Sequence, residues 1–217
     1  MKEFKAVVFD MDGVIFDSER ATMNCWLELA DKYGIKDIEK PYYACTGVTA
    51  QRTREIMLEA YGEDFPYDEY AREASQMYHD RYDGGRLPMK SGVFELLDFL
   101  KKENKKIALA SSTRRQTVVN QLRDAGILDY FDEIVTGDMV TKSKPDPEIF
   151  LLACEKIGVD PADAYAVEDS YNGIRSAKRG GLHPIMVPDL LPADDEMKEL
   201  SEAVLESLLA VKAYLFD

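Results

Sequence analysis

Five short apolar runs, at residues 6–9, 107–110, 134–136, 164–167 and 185–187, set the limits on what this chain can fold into. Each is nearly continuous rather than alternating. That is the pattern of a strand covered on both faces, as strands of a parallel sheet are. Between the later runs the apolar spacing becomes helical. Val93, Leu96, Leu97 and Leu100 fall at i, i+3, i+4 and i+7, and so do Phe150, Ala153, Cys154 and Ile157. Gly126 and Gly158 follow their helices where a C-cap glycine stands. Strand alternating with helix predicts an α/β fold built on a doubly wound (Rossmann-like) parallel sheet.

One stretch departs from this rhythm. Between residues 18 and 84 no strand-like run occurs. Trp26, Leu29, Ala30 and Tyr33 mark one helix, Ile56, Met57 and Tyr61 a second, and Tyr70 to Tyr82 a third. Asp83-Gly84-Gly85-Arg86-Leu87-Pro88 then reads as a hinge. The expected organisation is an α/β core domain of residues 1–17 and 85–217, with an inserted α-helical cap domain of residues 18–84. Trp26 is expected in the cap's own core, and His79 and His183 as surface or partly satisfied histidines.

Composition narrows the function classes. Asp and Glu number 41 against 27 Lys and Arg in 217 residues, a net charge of −14. Such a chain is repelled by nucleic-acid phosphates and anionic membranes, and suits a divalent cation. Cys25, Cys45 and Cys154 form no CxxC pair or His/Cys cluster, so buried structural thiols in a reducing compartment are expected. No apolar run approaches the ~20 residues of a membrane span. A cytoplasmic monomer with no nucleic-acid or membrane partner is the expectation.

Chemistry-bearing residues collect where strands end. The first run leads into Asp10-Met11-Asp12-Gly13. In open α/β sheets ligands bind outside the carboxyl ends of the strands, so both carboxylates are placed for a site. The second run leads into Ser111-Ser112-Thr113, small hydroxyls ahead of a helix, able to cap it or to bind an anion through backbone N–H groups. Lys144, in Ser143-Lys144-Pro145-Asp146-Pro147, could hold a phosphate as a point charge. The fourth run leads into Glu168-Asp169, adjacent carboxylates that suit magnesium and repel one another without a cation.

Taken together, these four motifs closely resemble those of the haloacid dehalogenase-like hydrolase superfamily. The likeness is to the type with a helical cap after the first motif, and most of all to its β-phosphoglucomutase-like phosphatases and mutases. DMDGV at 10–14 matches the first motif, Ser111 the second, Lys144 in KPDPEIF the third, and Glu168-Asp169 with Ser170-x-x-Gly173 the fourth. The resemblance covers essentially the whole chain. It implies a Mg2+-dependent phosphatase acting on a small phosphorylated metabolite. Asp10 would be the nucleophile, forming an aspartyl-phosphate, and Asp12 the general acid and base. Asp10, the Asp12 carbonyl, Glu168 and Asp169 would hold Mg2+, while Ser111, Ser112 and Lys144 would bind the phosphate. Haloacid dehalogenases lack the second acid, so Asp12 favours phosphoryl transfer over carbon–halogen cleavage.

In the cap, Gly47, Val48, Thr49 and Arg52 are candidates for substrate specificity. The related mutases carry an arginine in this loop and a histidine shortly after the first motif. Here Ala50 and Thr22 stand at those positions, which favours a phosphatase over a mutase. Arg20, Arg52 and Arg54 otherwise read as solvated helix arginines. A sugar-phosphate mutase of the β-phosphoglucomutase type is the alternative enzyme. A non-catalytic phospho-receiver or binding module is the alternative of another class, disfavoured by the chain's length and by the retention of all four motifs.

Overall fold

A computed structural model describes residues 3–46 and 50–216. Six parallel strands form one sheet in the order β3-β2-β1-β4-β5-β6. They are β1 (Ala6–Phe9), β2 (Lys106–Ser111), β3 (Glu133–Thr136), β4 (Ala164–Glu168), β5 (His183–Met186) and β6 (Ala203–Val204). The first five coincide with the apolar runs to within a residue or two. The sixth is a two-residue edge strand, too short to carry a pattern.

The sheet grows outward from β1 in both directions. β1 pairs with β2 on one side (Phe9 with Leu109) and with β4 on the other (Phe9 with Val167). The chain direction of winding therefore reverses between β1 and β4, which is where an open α/β sheet leaves a crevice beyond its carboxyl ends. Asp10 follows β1, and Glu168 is the last residue of β4.

One face of the sheet is lined by small residues, Ala6, Ala108, Ala110, Ala164 and Ala166. These let Ile149, Phe150, Ala153 and Cys154 of α7 (Glu148–Ile157) join the same buried cluster. On the helix α5 (Val93–Lys102), the four periodic residues Val93, Leu96, Leu97 and Leu100 are all buried. α5 is accompanied by the C-terminal helix α10 (Leu208–Phe216), whose Phe216 meets Phe99 edge-on at 4.4 Å. Two further helices of this unit, α6 (Arg115–Asp124) and α8 (Tyr171–Arg179), begin directly after site-forming turns; a short α9 (Asp195–Leu200) completes it.

By packing, the chain divides into two compact units, Met1–Asp17 with Pro88–Asp217, and Ser18–Leu87. The second unit holds α1 (Ser18–Lys32), α2 (Glu39–Cys45), α3 (Ala50–Tyr61) and α4 (Tyr67–Tyr82). Periodicity indicated three of these. The additional α2 carries Pro41 in its first turn, where a missing N–H breaks no helical bond. Trp26 lies in this unit's interior, edge-on to Tyr42 and Tyr70, and the Tyr70 hydroxyl donates to the Trp26 carbonyl at 2.5 Å. Gly84 and Gly85 both have positive φ, +72° and +80°, and Leu87 beyond them is buried. Of the thiols, Cys25 and Cys154 are buried and Cys45 is half-buried.

Candidate active site

Apart from Arg52, every described candidate residue belongs to the sheet unit. Asp10 is anchored at the end of β1, its N–H donating to the Val167 carbonyl at 2.9 Å. The turn that follows needs glycine twice over. Gly13 has φ +75°, and a Cβ there would lie 2.2 Å from Asp169 Oδ2. The tight turn thus brings the Asp10-Met11-Asp12 segment beside the Glu168-Asp169 pair.

Lys144 reaches into this group from the loop before α7. Its ammonium donates to Asp10 Oδ1 at 2.5 Å, to Glu168 Oε1 at 2.7 Å and to the Ala110 carbonyl at 3.0 Å. Three donors and three acceptors match, so the buried charge is fully hydrogen-bonded. The second oxygen of Glu168 accepts from Asp169 N–H, Ser170 N–H and Ser170 Oγ at 2.8–2.9 Å. Ser170 in turn caps α8 by accepting from Gly173 N–H. Gly173 is required by the approach of Glu168, since a Cβ there would sit 1.7 Å from Oε1.

Burial pushes the Asp10 carboxyl up to about 7; the Lys144 ammonium opposes the rise, and Glu168 and Asp12 add to it. Burial works against the charge on Lys144 as well, but Asp10 and Glu168 outweigh it and hold that lysine above its ordinary value. The sign of the Asp10 shift has a measurable consequence. Without a divalent cation the folded protein keeps a proton that the unfolded chain releases near pH 4. Stability should therefore fall as pH rises from about 4 to about 7, and level off above. The unfolding free energy of the wild type relative to Asp10→Asn, from urea denaturation in chelator, isolates this slope. Magnesium should flatten it, and a flat difference in chelator would contradict the buried, proton-holding Asp10.

Asp10, Glu168 and Asp169 each offer a carboxylate oxygen, all within 4.8 Å of one another. With Lys144 charged and all three carboxyls ionised, the four side chains carry an excess of two negative charges. Hard oxygen donors with that excess fit a magnesium ion. The Asp12 carboxylate is outside this group. Its Oδ2 accepts from the Thr113 hydroxyl at 2.8 Å.

Ser111 is fully buried and its Oγ accepts from the Thr113 N–H at 3.1 Å, while Ser112 is exposed in the same turn. Arg52 lies in the other unit, on α3, where its guanidinium meets Glu55 at 3.0 Å and Glu59 at 2.9 Å. Gly47, Val48 and Thr49 fall outside the described residues. His79 is exposed beside Asp83, and His183 bonds Glu202 and the Ala162 carbonyl. Reasoning from sequence missed the Ala110 carbonyl and the Thr113 hydroxyl. Thr113 stood in the hydroxyl triplet after β2, but spacing does not tell which of three consecutive hydroxyls turns toward Asp12.

The family model for haloacid dehalogenase-like hydrolases matches residues 7–187. A phosphorylated carbohydrates phosphatase of Thermotoga maritima is 34% identical over 181 residues, 83% of each chain. A β-phosphoglucomutase of Bacillus subtilis is 34% identical over 214 residues, 94% of this chain and 93% of its own. Among solved structures, CbbY from Rhodobacter sphaeroides in complex with phosphate superposes with a TM-score of 0.74 at 26% identity, covering 94% of this chain and 95% of that one. Among the described residues no helix is long and apolar enough to cross a membrane.

Proposed function

Since the chain belongs to the haloacid dehalogenase-like hydrolase family, we propose that it is a magnesium-dependent phosphatase of a small sugar phosphate, working through a phosphoryl group carried on Asp10. The carrying observation is the buried group at the sheet's crevice. There the Asp10 carboxylate meets the Lys144 ammonium and lies within metal-sharing distance of Asp169.

Asp10, Glu168, Asp169 and the Asp12 carbonyl would hold the cation, which when bound offsets the repulsion between a carboxylate and a phosphate. Asp10 attacks phosphorus, splitting the displacement into two easier steps. Lys144 steadies a phosphoryl oxygen as a point charge, and the Ser111–Ser112 turn supplies N–H donors. Asp12 gives a proton to the departing alkoxide, then removes one from the water that releases phosphate. The sugar-phosphate class follows the phosphatase from Thermotoga maritima. The likeness to the Bacillus subtilis enzyme supports a second reading, in which the Asp10 phosphoryl group passes to a sugar instead of water.

One experiment separates these. A panel of hexose and pentose phosphates is incubated with magnesium, with and without a trace of sugar bisphosphate. Phosphate release without the bisphosphate supports the phosphatase. Isomerisation of a hexose 1-phosphate that depends on the bisphosphate supports the mutase. Undiminished activity in excess chelator rejects the metal assignment.

Substrate choice is assigned to the helical unit Ser18–Leu87, acting as a cap, with Gly47, Val48, Thr49 and Arg52 as its specificity residues. Grafting another sequence onto residues 46–52 should change the preference among sugar phosphates at least about tenfold. Hydrolysis of a small aryl phosphate should change far less, because the core residues alone meet the phosphoryl group. Equal losses on both substrates would reject the cap's selective role.

A further inference from the structure

The hydroxyl of Thr113 has no part in the scheme above, yet it bonds the residue assigned to proton transfer. Thr113 Oγ1 donates to Asp12 Oδ2 at 2.8 Å, across 101 residues of sequence. Its placement is fixed from several sides. The Thr113 N–H donates to the buried Ser111 Oγ at 3.1 Å, and the Thr113 carbonyl accepts from Gly137 N–H at 3.3 Å. Gly137 packs so closely on this turn that a Cβ would lie 2.2 Å from the Ser112 carbonyl oxygen. Two residues on, the Arg115 N–H is held by Asp138 Oδ1 at 3.2 Å, and Asp138 itself accepts from Thr136 Oγ1 at 2.6 Å. The end of β3 thus clamps the turn that follows β2. Threonine's branched Cβ restricts χ1, so a fixed backbone gives a fixed hydroxyl direction.

We propose that Thr113 is a positioning residue for the proton-transfer step, orienting the Asp12 carboxyl by engaging Oδ2 and assigning the transferable proton to Oδ1. This rests on the acid–base role proposed for Asp12. As the bond between phosphorus and the leaving oxygen breaks and an Asp10 oxygen bonds phosphorus, the proton on Oδ1 moves to the leaving alkoxide, giving a neutral alcohol. In the second half-reaction a water oxygen bonds phosphorus, its proton goes to Oδ1, and the Asp10 carboxylate departs. Asp12 ends as it began, protonated, and the sum is ester plus water to alcohol plus phosphate. Through both halves Oδ2 can accept from the hydroxyl, because it is the unprotonated oxygen in either state.

The test is the dependence of kcat/KM on the leaving group, which reports the first phosphoryl transfer. A nitrophenolate leaves without protonation; an alkoxide does not. With saturating magnesium, Thr113→Val should lower kcat/KM on an alkyl phosphate about tenfold, the scale of one hydrogen bond to the carboxylate that forms as the proton leaves. On nitrophenyl phosphate it should stay within about twofold. Thr113→Ser should recover most of the alkyl activity, and Thr113→Val added to Asp12→Asn should cost little more than Asp12→Asn alone. Equal losses on both esters, or no loss on either, would overturn the positioning role. Failure of Thr113→Ser to recover activity would overturn it too. Asp12→Asn is the control for the underlying reading. If it discriminates between the esters and Thr113→Val does not, only the present inference falls. If Asp12→Asn itself does not discriminate, the acid–base assignment falls and the inference with it.

Discussion

Asp10→Asn should abolish turnover, lowering kcat by on the order of 10⁴-fold or more, the scale on which removing a covalent nucleophile acts. The amide keeps the shape of the carboxylate, and its oxygen can still accept from Lys144. It lacks the negative charge that attacks phosphorus and draws in the cation. Acid quenching during turnover should trap a phosphoryl group on the wild-type chain and none on the variant. The variant should also be the more stable protein in chelator above pH 7, because it no longer places an ionised carboxylate at a buried position that burial pushes up to about 7. Activity retained at more than a few per cent would remove Asp10 from the nucleophile's role. A site that destabilises the empty protein in order to bind a cation and a phosphate is an ordinary cost of function.

Lys144→Met should damage both stability and activity, for one reason. The ammonium is buried, with 8% of its side chain exposed, and it bonds Asp10 and Glu168, whose side chains are 9% and 1% exposed. Removing one partner of a buried ion pair leaves the others uncompensated and costs about 3–5 kcal/mol. Urea denaturation in chelator above pH 7 should show a loss of that order. The loss should shrink as pH is lowered and Asp10 takes up its proton, and should also shrink with added magnesium, whose charge at the proposed site would stand in for the missing ammonium. With magnesium present, kcat/KM should remain roughly 10²–10³-fold down, as when one charge-stabilising donor is lost from a site. Wild-type stability in the variant would mean that the three-way contact of Lys144 carries no net electrostatic weight.

Much of this was legible in the chain itself. Five strands could be read because a strand buried on both faces must be apolar throughout, and residues 6–9 and 164–167 have no alternative burial. The candidate residues stood out because charges at the ends of such strands, such as Asp10, Asp12, Glu168 and Asp169, are chemically conspicuous beside an apolar run. What the linear order could not settle was which atom meets which. Only the sheet order, which sets β4 beside β1, brings Glu168 to Lys144 and Asp169 against Gly13. β6 was illegible because two residues hold no period, and α2 because Pro41 hides a helical first turn. Thr113 was one of three adjacent hydroxyls. Its selection over Ser111 and Ser112 depends on a turn direction imposed by Gly137, just past the end of β3. Local sequence decides which segments must be buried and which residue types are chemically conspicuous. Hydrogen bonds between groups a hundred residues apart are decided by packing, because the partner's position is a property of the whole sheet and of no segment within it.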